Sequence, residues 1–178
     1  MYDGTAFSDE LALFEVALNG EGFPFDGFEI TVVESAPSLA QLVGNAHEEL
    51  LRLAPKVRLG DKVADRLQTA KRHMMESNFV ECLTNLRLAL KYTLEGIAET
   101  VAAQRGETLS SVKEKDVRDY LKRIGFISEE EWRGFWGIYG LLSTGPHGDP
   151  TRDATLLGFA ACMMACQYAI EKLQRVSP

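Results

Sequence analysis

Apolar residues recur at helical spacing along most of this chain. Leu39, Leu42, Val43, Ala46 and Leu50 share one face of a predicted helix that Ser38 opens and that runs to about Leu53. Pro55 and Gly60 punctuate it. Val63, Leu67, Ala70 and Met74 then mark a helix over 61–76. Beyond Ser77 and Asn78 a long stripe of Cys82, Leu83, Leu86, Leu90, Leu94, Ile97 and Val101 predicts a helix from Phe79 to Gln104, closed by Gly106. Ser111 with Glu114, and Ser128 with Glu131, have the spacing of capping boxes. The helices they open carry Val117, Tyr120, Leu121 and Ile124 in one case, and Trp132, Phe135, Trp136, Tyr139 and Leu142 in the other. After the turn LSTGPHGDPT, Thr151 caps a last helix over 152–175, whose nearly all-apolar middle predicts burial on most sides.

The first 38 residues read differently. Ser8 caps a short amphipathic helix over 8–18, GEGFPFDGF forms an aromatic loop over 20–28, and FEITVV over 28–33 has the β-branched character of a strand. The expected fold is therefore all-α, an up-and-down bundle of four to five helices with an N-terminal extension holding one short strand. The expected division is an N-terminal segment over 1–55 and a bundle over 56–178. The helices over 79–104 and 152–175 would be its spine.

Charge sharpens that division. The net charge of −7 hides ten acids and no Lys or Arg in residues 1–50, which leaves 19 bases against 16 acids in 51–178. A uniformly basic nucleic-acid binder is excluded, but a near-neutral bundle that meets RNA is not. The acidic segment becomes a docking arm for a protein partner or a mask over a basic surface. With 46 % apolar and 25 % charged residues the composition is that of a globular chain rather than a disordered one. No run looks apolar enough to cross a bilayer, and no cationic start precedes an apolar stretch. Together with three cysteines that read as reduced, these features predict a cytoplasmic protein.

Chemistry is sparse. There is no phosphate loop, no dinucleotide-binding glycine motif and no HExxH, so neither cofactor nor metal is expected. Cys162 and Cys166, four apart, and Cys82 read as buried packing. Glu129, Glu130 and Glu131 suit a helix N-terminus. His47 and His73 read as surface or half-buried residues rather than ligands. His147 stands apart, because Gly145, Pro146, Gly148 and Pro150 fix the backbone around it. Its imidazole would serve as acid, base or phosphate contact, or else cap a helix end. Lys56, Arg58, Lys62, Arg66, Lys71 and Arg72 fall within seventeen residues and form a candidate track for a phosphate backbone or for the acidic segment. Trp132, Phe135, Trp136 and Tyr139 read as bundle core or a dimer face ahead of a base-stacking platform.

Two segments, NFVECLTNLRLALKYTLEGIAE over 78–99 and LLSTGPHG over 141–148, give residues 61–176 a resemblance to HEPN domains of the abortive-infection type. The resemblance covers about two-thirds of the chain. It implies a helical bundle that dimerises, and membership of a bacterial antiviral defence system. Active members of the family are metal-independent ribonucleases. Their motif is an Arg, usually followed by a polar residue, with a His four to six positions on. Two copies of the motif meet over the RNA backbone. His147 matches the His, but Gly140, Leu141 and Leu142 stand where the Arg belongs. Ser143 and Thr144 supply hydroxyls without charge, and Arg152 or Arg87 would have to replace the guanidinium. Losing that cation removes several kcal/mol, roughly, of transition-state stabilisation. The expectation is a non-catalytic domain for dimerisation or regulatory protein interaction. The alternatives are a ribonuclease built on His147 and an RNA- or nucleotide-binding module without turnover.

Overall fold

A computed structural model describes residues 39–109, 113–143 and 149–176, with side chains from Gly44 onward. The chain divides into two units, Met1–Ala36 and Pro37–Pro178, and everything described lies in the second. The helix expected over 8–18, the aromatic loop, the strand over 28–33 and the caps at Ser38 and Ser111 fall outside the described residues, as do Thr144 and His147.

The described chain is all-α. Its helices are α1 (Leu39–Leu53), α2 (Gly60–Met75), α3 (Phe79–Gln104), α4 (Glu114–Arg123), α5 (Glu129–Ser143) and α6 (Arg152–Val176), with a 3₁₀ turn at Ala54–Lys56. Their ends are set by local chemistry. The Asn78 side chain accepts the Glu81 N–H to start α3, and Thr151 Oγ1 accepts the Ala154 N–H at 3.2 Å to start α6. At α5 the expected capping box is closed from both sides. The Glu131 N–H donates to Ser128 Oγ at 3.1 Å, and the Ser128 N–H donates to Glu131 Oε2 at 2.6 Å. Gly106 and Gly125, both at φ 70°, end α3 and α4 in the left-handed region that glycine adopts without strain.

Helices α3 and α6 are the spine, and they run in the same direction. Gly158 packs on Leu83, the Cys162 thiol donates to the Leu86 carbonyl at 3.2 Å, and Leu173 lies near Val101. Helix α2 returns antiparallel to α3, with Arg66 reaching Asn85 and Lys62 reaching Tyr92. Helix α5 returns antiparallel to α6, pairing Glu131 with Lys172 and Phe135 with Tyr168. The exception to simple alternation is α4, whose C-terminal end lies beside the C-terminal end of α3 around Arg105 and Ile124. Helix α1 packs on α6, and its Leu50 and Leu53 are buried in the common core. The compact unit therefore reaches back to Pro37 rather than starting at residue 56. The apolar period that marked α1 in the sequence is the reason, since its Leu50 is fully buried in the common core.

Every position of the α3 stripe is buried, and Leu67, Leu121, Leu142 and Ile170 complete the core from the other helices. Two expectations change. Trp136, read as bundle core or a dimer face, is 58 % exposed and so is not core. The apolar middle of α6 is covered over most of its circumference, as expected, and leaves only a narrow strip of Leu157, Met164 and Tyr168 exposed. That same helix is long and apolar enough to cross a bilayer, contrary to the reading of the sequence, although half of its most apolar window is packed inside the bundle.

Candidate functional site

Of the expected catalytic residues, Ser143 and Arg152 are described, at the end of α5 and the start of α6, and no contact joins them among the described residues. Ser143 ends α5, half-buried, with its hydroxyl donating to the Tyr139 carbonyl at 2.7 Å. Arg152 opens α6 and is exposed. Arg87 projects into solvent from the first half of α3. Other hydroxyls are spent in the same way as that of Ser143. Thr84, Thr93, Thr100 and Thr155 each donate to the carbonyl four residues back. The thiols are equally withdrawn. Cys82, Cys162 and Cys166 are free and buried, and burial pushes Cys82 up to about 12. The hydrogen bond to Cys166 and burial hold Cys162 well above its ordinary value. Among the described residues no group of three or more His, Cys, Asp or Glu could hold a metal ion.

The six basic residues do not form one continuous track. Lys56 donates to Gln174 at the end of α6 at 3.2 Å, and the Arg58 backbone N–H donates to Thr100 Oγ1 at 3.0 Å. Lys62 lies 5.5 Å over the Tyr92 ring, and Arg66 donates to Asn85 Oδ1 at 3.2 Å, so both lean towards α3. Lys71 sits near His47 on the α1 side, and Arg72 is exposed. A helix turns about 100° per residue, so cations at close sequence spacing scatter over three directions.

A different cationic cluster surrounds the aromatic residues. Trp132 and Trp136 stack across α5 with ring centroids 6.4 Å apart and planes 29° apart. The Arg118 guanidinium lies 5.8 Å over Trp132. With Lys122, Glu129 and Arg133 they line a cleft of about 270 Å³ between α4 and α5. Glu129 pairs with both Lys122 and Arg133, and Asp119 accepts from Arg118 at 2.8 Å, so each of the three cations has an acid partner. The sequence held the signal, a Trp pair and an Arg/Lys pair each spaced four apart. Only the packing of α4 on α5 joins them.

His47 is buried at 3 % exposure, against the expectation of a surface or half-buried side chain, with its ring tilted on Phe159 at 6.1 Å. Burial lowers its pKa below 6.5, the Leu67 carbonyl opposes this, and nearby Lys71 adds to the lowering. The folded state thus prefers the neutral ring. Its contribution to stability is full above pH 6.5 and is lost as the pH falls from there towards the folded value. In urea melts between pH 7 and pH 5 the wild type should lose more stability than His47→Phe. Equal losses in the two proteins would show that His47 does not titrate at this place.

No family model, curated protein or solved structure matches the chain.

Proposed function

We propose that this chain is a HEPN-like helical domain that works in assembly or regulation without catalysis, docking a protein partner on the outer face of α6. The observation that carries this reading is that face itself. Leu157, Met164 and Tyr168, at 56 %, 69 % and 44 % exposure, stand in one row on a helix whose other side is core. The hydroxyls and thiols described above, bound to backbone or buried, add support. So does the apolar pair Leu141–Leu142 where the family's guanidinium would stand.

The test is incubation of the purified protein with a labelled RNA pool, beside His147→Ala and Arg152→Ala. Both variants and the wild type should leave the RNA intact. Cleavage by the wild type that vanishes in His147→Ala would overturn the reading in favour of a ribonuclease. One observation favours a second reading, RNA binding without turnover. The cleft between α4 and α5 offers an exposed indole flanked by Arg118, Lys122 and Arg133, the combination on which unpaired bases stack and phosphates pair. Under that reading RNA is retained intact, retention weakens steeply with salt, and Trp136→Ala reduces it.

A further inference from the structure

We infer that α1 is an acid-released latch: protonation of His47 lifts this helix from α2 and α6 while the rest of the bundle stays folded. The device goes beyond the docking role proposed above and does not depend on what docks. Among the described side chains of α1, His47 is the one buried polar group. Its ring lies against Phe159 of α6, and both ring nitrogens are sealed from water without a partner at bonding geometry. An imidazolium there would carry a full charge and two N–H donors, which burial penalises far more than the neutral ring. The groups around the ring do not offset this. From α2 come the Leu67 carbonyl, which favours the proton, and the Lys71 ammonium, which repels it. Glu48 on α1 itself favours the proton, but its side chain is exposed and acts through water. Helix α6 contributes Phe159 and carries no charged residue between Asp153 and Glu171. No acid is buried with the ring to hold it charged in place.

The way α1 is held makes the release local. Leu50 and Leu53 are buried, Ala46 and Leu51 pack beside them, and the Glu49–Arg52 ion pair closes within the helix. Among the described residues no ion pair ties α1 to another helix. The chain that follows is fixed independently. Lys56 donates to Gln174 at 3.2 Å, Val57 is buried, and the Arg58 N–H donates to Thr100 Oγ1 at 3.0 Å. The pairings of α2 with α3, α3 with α6 and α5 with α6 use no residue of α1. Helix α1 can therefore swing about the turn at Ala54–Lys56 while those pairings persist. Lifting it bares Phe159 and returns His47 to water, where the ring regains its ordinary value of 6.5. Each release below that pH takes up a proton, so acid drives it. With the docked ring staying neutral, the release constant rises by up to about tenfold from pH 7.5 to pH 5.5.

Hydrogen exchange of the full chain, read by mass spectrometry and corrected for the intrinsic pH dependence of amide exchange, reports the release directly. At pH 7.5 the amides over 44–53 should be far less protected than those over 86–97 in α3, the sign of an opening that leaves α3 folded. Their protection should fall several-fold more, up to about tenfold, on going to pH 5.5. In His47→Phe that further fall should disappear. His47→Gln, polar but without a titrating ring, serves the same purpose should the Phe ring not fit, and far-UV dichroism at both pH values checks each fold. Equal protection of α1 and α3 would mean that α1 leaves only when the whole bundle unfolds, and would overturn the latch. So would α1 protection that stays constant with pH in the wild type, or that falls as far in a folded non-titrating variant. None of these outcomes bears on whether RNA is cut.

Discussion

Replacing Gly96 by Ala should be among the most damaging single changes to this bundle, lowering stability by about 3 kcal/mol or more. The reason is a backbone-to-backbone approach. A Cβ at position 96 would stand 1.8 Å from the Arg58 carbonyl oxygen and 2.9 Å from its carbon. Neither side can yield cheaply. The Arg58 N–H is bound to Thr100 Oγ1, whose own hydroxyl donates to the Gly96 carbonyl at 2.6 Å. The turn itself is already wound tightly, with Leu59 in the left-handed region at φ 61°. The methyl group would have to push the α1–α2 turn off α3, and with it Leu53, Ala54 and Val57, all buried. A thermal melt should show Tm lowered by roughly 10 °C for a chain of this length. Gly137→Ala on α5 is the matched control. It sits mid-helix with nothing within 4 Å of an added Cβ, and should gain about 0.5–1 kcal/mol from helix propensity. If the two variants melted together, the close approach at Gly96 would not exist in solution.

Gly96 also marks where the sequence stopped being readable. In LEGIAE a lone glycine inside a strong helical stripe looks like a weak point, because nothing within the helix reveals what passes over it. Patterns internal to one element were legible. The Ser128–Glu131 capping box, the α3 stripe and the burial of the cysteines could all be read, because each depends only on period and local bonding. Properties that need two elements were not. The cations over 56–72 read as a track until the helical turn scattered them. Trp136 read as core or a dimer face because its spacing matches that of Trp132, and only the placement of α4 shows that it lies at the rim of a cleft. The outer row of α6 was hidden for the opposite reason. A helix apolar all round shows no period, so its exposed side cannot be distinguished from its buried one.

The acid side of the stability curve should carry the signature of Glu131. This carboxylate divides its oxygens between two tasks. One accepts the Ser128 N–H and caps α5. The other accepts from Lys172 and from the Tyr168 hydroxyl, tying α5 to α6. Burial alone would raise its pKa, but the bonds from Lys172, Tyr168 and the Ser128 N–H outweigh it and bring the group from 4.5 down to about 2. A carboxyl whose folded value is depressed binds fewer protons folded than unfolded. Its contribution is complete above the unfolded pKa near 4.5 and is lost as the pH falls from there to about 2. With the side chain 22 % exposed, solvent screening reduces that contribution to about 2 kcal/mol. Glu131→Gln keeps the shape and removes the charge, so at pH 7 it should be less stable than wild type by about that amount. Denaturant melts at successive pH values should show the gap closing below pH 4.5, since protonation makes the wild-type side chain neutral too. A gap as wide at pH 2.5 as at pH 7 would mean that shape, rather than the ionised carboxylate, joins α5 to α6.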